Sequence, residues 1–206
     1  PVDPNSTNPY QLTEADRTII GNTTPKFSGG FGLNATYKGF DMSMFFNFMY
    51  DFDVLNANKI MLTTWADNKE NNFLMDIASD KRWRNFDDMG NEIRYSPEVL
   101  AEFNKNATMW NPTSIGRPIC MSYAVEDGSF LRLNSATLGY TLPSVWTKKV
   151  GLSKVRFYVS GNNLFTLTGY SGYDPEVNIA TGLTPNIDYN RYPRSRTYTF
   201  GAQLTF

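Results

Sequence analysis

A hydrophobic period of two, recurring in five separate stretches, constrains this chain more than any other feature. Side chains two apart in a strand share a face, so alternation of apolar with polar residues marks a strand that keeps one face away from water. Phe27, Gly29, Phe31, Leu33, Ala35 and Tyr37 alternate with Ser28, Gly30, Gly32, Asn34, Thr36 and Lys38. After Gly39 a second run puts Phe40, Met42, Met44, Phe46, Phe48 and Tyr50 on one face and Asp41, Ser43 and Asn47 on the other, with Phe45 and Met49 as exceptions. The turn near Lys38-Gly39 is as short as a hairpin permits. Alternation returns from Phe130-Leu131-Arg132-Leu133 through Ala136, Leu138 and Tyr140 to Leu142-Pro143, and then in Val155, Phe157, Val159 and Gly161. It closes the chain with Tyr198, Phe200, Ala202, Leu204 and Phe206 against Thr199, Gly201, Gln203 and Thr205. The expected fold is all-β and antiparallel, with strands at about 26–38, 40–52, 129–142, 153–166 and 196–206.

The connections alternate in length. Residues 1–24, rich in Pro, Asn, Asp and Thr, read as a loop; 53–128 and 167–195 are long; the Lys38-Gly39 turn and 143–153 are short. Within the first long connection, Ser96-Pro97-Glu98 has N-cap, N1 and first-turn residue types, and Val99, Leu100 and Phe103 then share a helical face. In up-and-down order the short connections fall at one end of the sheet and the long ones at the other. Outer-membrane barrels have this asymmetry, with short periplasmic turns and long extracellular loops. A soluble antiparallel sandwich or lipocalin-like barrel also alternates and is the competing architecture.

Composition favours the bilayer. The chain holds 15 Phe, 12 Tyr and 4 Trp, while only 19% of it is charged. No stretch approaches the roughly 18 apolar residues of a membrane helix, but a barrel strand crosses with alternating side chains and barely marks average hydropathy. Tyr198 and Phe206 share a face eight residues apart, which at about 3.3 Å per residue and about 40° of tilt is roughly 20 Å of height, near the spacing of two aromatic girdles. The opposite faces, rich in Ser, Thr, Asn, Gln and Gly, suit a wet lumen. Five strands cannot close a spanning barrel, whose smallest form has about eight, so the chain is expected to be the last part of a larger barrel or to associate with chains that complete it. Its opening Pro1-Val2-Asp3-Pro4 agrees with a piece of something longer. With the long loops outside, the first and last strands run downward, and 1–24 is an extracellular loop.

Several chemistries are excluded. There is no histidine, which removes the commonest general base and metal ligand. The single Cys120 has no disulfide partner within the chain and reads as a half-buried small hydrophobe. A net charge of −1 with dispersed basic residues gives no nucleic-acid stripe. Nothing supplies an activated nucleophile, so no catalytic residue is expected and the chain is read as not an enzyme; Asp174 and Glu176 are two nearby carboxylates without a demonstrable pocket.

The motifs also resemble a family. Asp16-Arg17-Thr18-Ile19-Ile20-Gly21-Asn22, then Pro25 and Phe27, resembles the approach to the late barrel strands of SusC/RagA-type TonB-dependent transporters. So do Gly128-Ser129-Phe130-Leu131-Arg132-Leu133 with Leu138-Gly139-Tyr140-Thr141-Leu142-Pro143, and Gly161-Asn162-Asn163-Leu164-Phe165 with Tyr170, Gly172, Tyr173, Asp174, Pro175 and Glu176. The ending Tyr192-Pro193-Arg194 through Tyr198-Thr199-Phe200-Gly201 to Phe206 is similar to that family's C-terminus. The resemblance runs along nearly the whole chain and is weakest from about 53 to 120.

It implies the last five strands of a barrel of about 22 strands, plugged by an N-terminal domain, in the outer membrane of a Bacteroidota-type bacterium that imports oligosaccharides or peptides. The implied partners are the remainder of the barrel and plug, a SusD-like surface lipoprotein that lids the barrel, the TonB system acting through a region outside this sequence, and outer-membrane lipid. No cofactor is implied. The alternative is a soluble secreted glycan-binding β domain. The terminal face Tyr198, Phe200, Leu204 and Phe206 is expected to meet lipid and resembles the C-terminal signal read by the outer-membrane assembly machinery. Trp65, Trp83, Trp110, Tyr170 and Tyr173 in the long loops are candidates for substrate or lid contact, against packing within the loops. Asp87-Asp88 and Glu126-Asp127 read as solvated loop charges, and Arg191, Arg194 and Arg196 as partners of loop carboxylates or of lipid headgroups. Asp3, Asn5, Thr7 and Glu14 match part of a calcium-loop spacing, but Asn8 stands where the glycine belongs, which leaves an Asx-rich turn.

Overall fold

A computed structural model describes residues 17–64, 72–77, 81–112, 119–177 and 185–206. Trp65 and the Asp3, Asn5, Thr7, Asn8 and Glu14 spacing lie outside them.

Five strands form one antiparallel meander: β1 (Phe27–Tyr37), β2 (Phe40–Tyr50), β5 (Phe130–Thr141), β6 (Lys154–Thr168) and β8 (Thr197–Thr205), in that spatial order. A second sheet lies in the long connections, where β3 (Asp53–Asn56) pairs antiparallel with β4 (Val125–Asp127) and parallel with β7 (Ile187–Asp188). The helices are short: α1 (Ala57–Met61), α2 (Pro97–Asn104) and α3 (Ser144–Thr147).

Register carries the period of two across the whole meander. Tyr37, Phe40, Tyr140, Phe157 and Ala202 stand in one row; Ala35, Met42, Leu138, Val159 and Phe200 in the next; Leu33, Met44, Ala136, Gly161 and Tyr198 in a third. Phe31, Phe46, Leu133 and Phe165 follow, beyond an irregularity at which Asn134 faces the extra pair Asn163 and Leu164. All these side chains share one face, and among the described residues most of it is uncovered: Phe31, Leu33, Phe40, Leu138, Phe157 and Phe200 are exposed, while Leu133 is buried. Between Phe27 and Tyr37 it rises about 25 Å at about 3.3 Å per residue and 40° of tilt, the height of a barrel's apolar band. β8 pairs with β6 only along Lys154 to Asn162, the stagger a tilted wall needs.

The other face is polar, and the two exceptions on β2 have causes. The ring of Phe45 lies across β1, where a Cβ on Gly30 would come within 2.8 Å of its Cζ. Met49 packs against the buried cluster Phe52, Val54, Phe130, Tyr170 and Val177, most of it contributed by the long connections. The packed core is thus at the long-connection end, on the side of the polar face that bears Met49 and Phe130.

Local chemistry sets the turns. Lys38 and Gly39 have φ of 47° and 90°, both left-handed, which is the two-residue turn whose twist matches a hairpin. α2 begins with Pro97 after Ser96 as its residue types predict, but the Ser96 side chain makes no capping bond. Its buried residue is Asn104, with Leu100 and Phe103 half-buried and Val99 exposed, because the Asn104 carboxamide bridges the backbone N–H and C=O of Arg84. Cys120 is exposed rather than half-buried, since it lies outside the packed cluster.

Candidate functional site

The second long connection meets the wall at Arg132. Its place in β5 points the side chain to the polar face, where it is only 2% exposed. A guanidinium is buried at such a place only if its charge is met. Arg132 Nη2 donates to Asp174 Oδ1, and Nη1 stands 3.5 Å from Glu176 Oε2. Arg194, on the returning arm of the same connection, lies 3.0 Å from Glu176 Oε1 and 3.7 Å from Asp174 Oδ2. Two arginines and two carboxylates therefore alternate: Arg132 fastens the outgoing arm of the loop to the wall, and Arg194 ties the returning arm to the same two carboxylates. Glu176 N also donates to Asp174 Oδ1 at 2.9 Å, so a local turn holds the two carboxylates in place. With both acids engaged by arginine, neither is free to act as a glycosidase acid or base.

A second cluster joins the two long connections to each other. Glu126 accepts from Asn56 Nδ2 at 3.0 Å, from Ser171 N and Oγ at 2.9 Å each, and pairs with Lys59 at 3.1 Å. Burial alone would raise its carboxyl, yet the bonds from Ser171, Asn56 and Lys59 together hold it below the usual range. Glu126 is thus a structural acceptor and not a solvated loop charge, a correction that follows from its position in β4, beside Asn56 and Lys59. Asp127 accepts from Ser129 N, Asp87 closes a turn by accepting from Met89 N and Asn91 N, and exposed Asp88 pairs with Arg84.

The loop aromatics divide by environment. Tyr170 is buried, and its hydroxyl donates to Asp188 Oδ2 at 2.7 Å; burial and that carboxylate push the phenol pKa well up. Trp110 donates from Nε1 to Thr63 O at 3.1 Å and stands edge-on to Tyr123 at 5.2 Å, while burial and Asp76 raise the Tyr123 phenol. These rings are occupied by packing. Trp83 and Tyr173 are exposed, Tyr173 to 82%. At the chain's end Tyr198, Phe200, Leu204 and Phe206 are all exposed, Phe206 to 89%.

Sequence reasoning missed the Arg132 cluster, although one signal was present: a cation inside an otherwise apolar and small-residue strand. Among the described residues no group of three or more Asp, Glu or Cys side chains is placed to hold a metal.

No family profile matches the chain. TonB-dependent receptor P3 of Formosa agariphila is 35% identical over 202 residues, covering 95% of this chain and 18% of that protein. TonB-dependent receptor SusC of Bacteroides thetaiotaomicron is 38% identical over 88 residues, 41% of this chain and 8% of SusC. Among solved structures, the RagAB peptide importer in its closed-closed state matches with a TM-score of 0.73 at 25% identity, over 95% of this chain and 19% of that one. Its open-open state matches with 0.69 at 26% identity over the same shares. The chain thus spans less than a fifth of the length of these relatives.

Proposed function

We propose that this chain, a homologue of the C-terminal barrel segment of SusC- and RagA-type TonB-dependent receptors, forms part of an outer-membrane wall through which nutrients are actively imported. The observation that carries the reading is the uncovered apolar face of the meander, aromatic at Tyr37, Phe40, Tyr140 and Phe157 at one end and at Phe27 and Tyr50 at the other. An apolar face of this extent is stable in lipid and unstable in water. A soluble glycan-binding domain would have to cover it, and the described residues build their core on the opposite side.

In this reading the remainder of the barrel and a plug complete the wall from sequence outside this chain. The TonB system energises the cycle, and a SusD-like surface lipoprotein lids the long-loop end. The cargo is an oligosaccharide or a peptide. The segments 1–24, 53–128 and 167–195 lie outside the cell, and 25–206 otherwise belongs to the barrel. Tyr198, Phe200, Leu204 and Phe206 face lipid, with the same strand serving as assembly signal, while Trp83 and Tyr173 are the loop aromatics with a free face for cargo or lid. Nothing in the site provides catalysis.

Fractionation of cells expressing the full-length protein that carries this segment tests the reading. The expected result is heat-modifiable migration in the outer-membrane fraction and co-purification of a surface lipoprotein with the affinity-tagged protein. A folded, monodisperse protein recovered without detergent would overturn it.

A further inference from the structure

The end of the sheet where β1 turns into β2 and β5 runs to β6 differs sharply in charge from the rest of the chain. Lys38, Lys148, Lys149, Lys154 and Arg156 lie there with a single side-chain carboxylate, Asp41, although the chain as a whole has 19 basic and 20 acidic residues. Asp41 is already engaged: Arg156 Nε donates to its Oδ1 at 2.9 Å and Nη2 bonds its Oδ2, across Gly139 of the intervening strand. The four lysines are exposed, and none forms an ion pair among the described residues.

The connection between β5 and β6 adds an apolar element to these charges. After Leu142-Pro143 it makes α3, then a 3-10 turn at Lys148–Val150 that Gly151 ends at φ 74°. It packs against β6, and Thr147 and Val155 are the buried residues where they meet. Val155 belongs to the apolar face, so the turn is seated on that side of the wall. Outward it presents Val145, Trp146 and Val150, with Trp146 60% exposed, at the same end as the row Tyr37, Phe40, Tyr140 and Phe157. An indole beside lysines suits a membrane interface: the ring lies among the uppermost carbons, and the lysine stems carry their ammonium groups to the headgroups.

We infer that this end is a docking surface for anionic phospholipid, with Val145, Trp146 and Val150 lodged below the headgroups and Lys38, Lys148, Lys149 and Lys154 holding the phosphates. Two observations choose this occupant: the surplus of exposed cations without a carboxylate partner complements an anionic headgroup, and the apolar part is continuous with the uncovered sheet face. The inference rests on the reading of that sheet as a bilayer-spanning wall. The short-connection end then faces the periplasmic leaflet. Each lysine held near an anionic surface strengthens association about fivefold.

The full-length protein carrying this segment is to be reconstituted in phosphatidylcholine vesicles containing a fixed fraction of brominated phosphatidylglycerol or brominated phosphatidylcholine. The Trp146 signal is isolated by difference against Trp146→Phe. The expected result is stronger quenching by the brominated phosphatidylglycerol, lost at high salt. In Lys148→Gln/Lys149→Gln the preference should fall on the order of 20-fold while quenching by brominated phosphatidylcholine persists. Equal quenching by both lipids in the parent protein, or an undiminished preference in the double variant, overturns the headgroup surface and leaves the spanning wall standing. No quenching by either lipid takes Trp146 out of the membrane and overturns the headgroup surface, whereas a protein that does not insert into the vesicles at all overturns the spanning wall as well.

Discussion

Arg132 owes its burial to partners 42 and 44 positions away in sequence, Asp174 and Glu176. Removing one side of a buried pair costs about 3 kcal/mol or more when the other charge is left uncompensated; here Arg194 stays beside Asp174 and Glu176 and offsets part of that cost. Arg132→Leu should therefore lower the hydrogen-exchange protection of amides near 170–177 by less than that amount while leaving the protection of β6 unchanged. Glu126 gives a pH-dependent case. Its folded pKa is held below the ordinary value, so its contribution is fully present above the ordinary value and is lost as pH falls from there through the lowered folded pKa. Protection factors at 53–56 and 125–127, corrected for the intrinsic pH dependence of amide exchange, should therefore fall below about pH 4.5, and Glu126→Gln should remove the acid-dependent part. The sequence displayed Arg132 as a lone cation in a strand, but neither its partners nor the burial of Glu126 could be read there. Both depend on contacts closed over long loops.

The hairpins and the last strand behave as elements. At the Lys38-Gly39 turn the backbone is left-handed at both positions, and a Cβ on Gly39 would come within 2.9 Å of Thr141 O. Gly39→Ala should thus destabilise the β1–β2 hairpin by more than about 1 kcal/mol, read as a lower urea midpoint of the assembled barrel. β8 ends one residue before Phe206, whose side chain is exposed on the apolar face. Deleting Phe206 should reduce the yield of heat-modifiable full-length barrel without changing synthesis, and an unchanged yield would remove the assembly role from this residue. Short-range rules serve such elements well, because a tight turn and a period of two are set by neighbours. They serve α2 less well: Pro97 opens it as expected, but its buried contact is polar Asn104 rather than the Val99, Leu100 and Phe103 face, since Arg84, which comes from outside the helix, chooses it.

At the scale of the molecule, the usual arrangement of a soluble protein is reversed. The packed cluster forms between the long connections and one end of the polar face, while the broad apolar face stays open. Two sheet edges, on β1 and β8, also have no neighbouring strand among the described residues. Uncovered edges and apolar area both promote association. The 206 residues expressed alone should consequently sediment as heterogeneous oligomers in buffer, and as smaller species in detergent that shields the face but not the edges. The sequence by itself determined the alternation, the antiparallel wall and the apolar outer face, because strand periodicity is a local property of neighbouring residues. Only the tertiary structure decided that the two long connections join through β3, β4 and β7, that Tyr170 and Trp110 are packed inside while Trp83 and Tyr173 stay exposed, and that Arg132 fastens the second of them to the wall. Those outcomes depend on which distant segments meet, and pairing energies across 40 or more residues leave no local pattern in the chain.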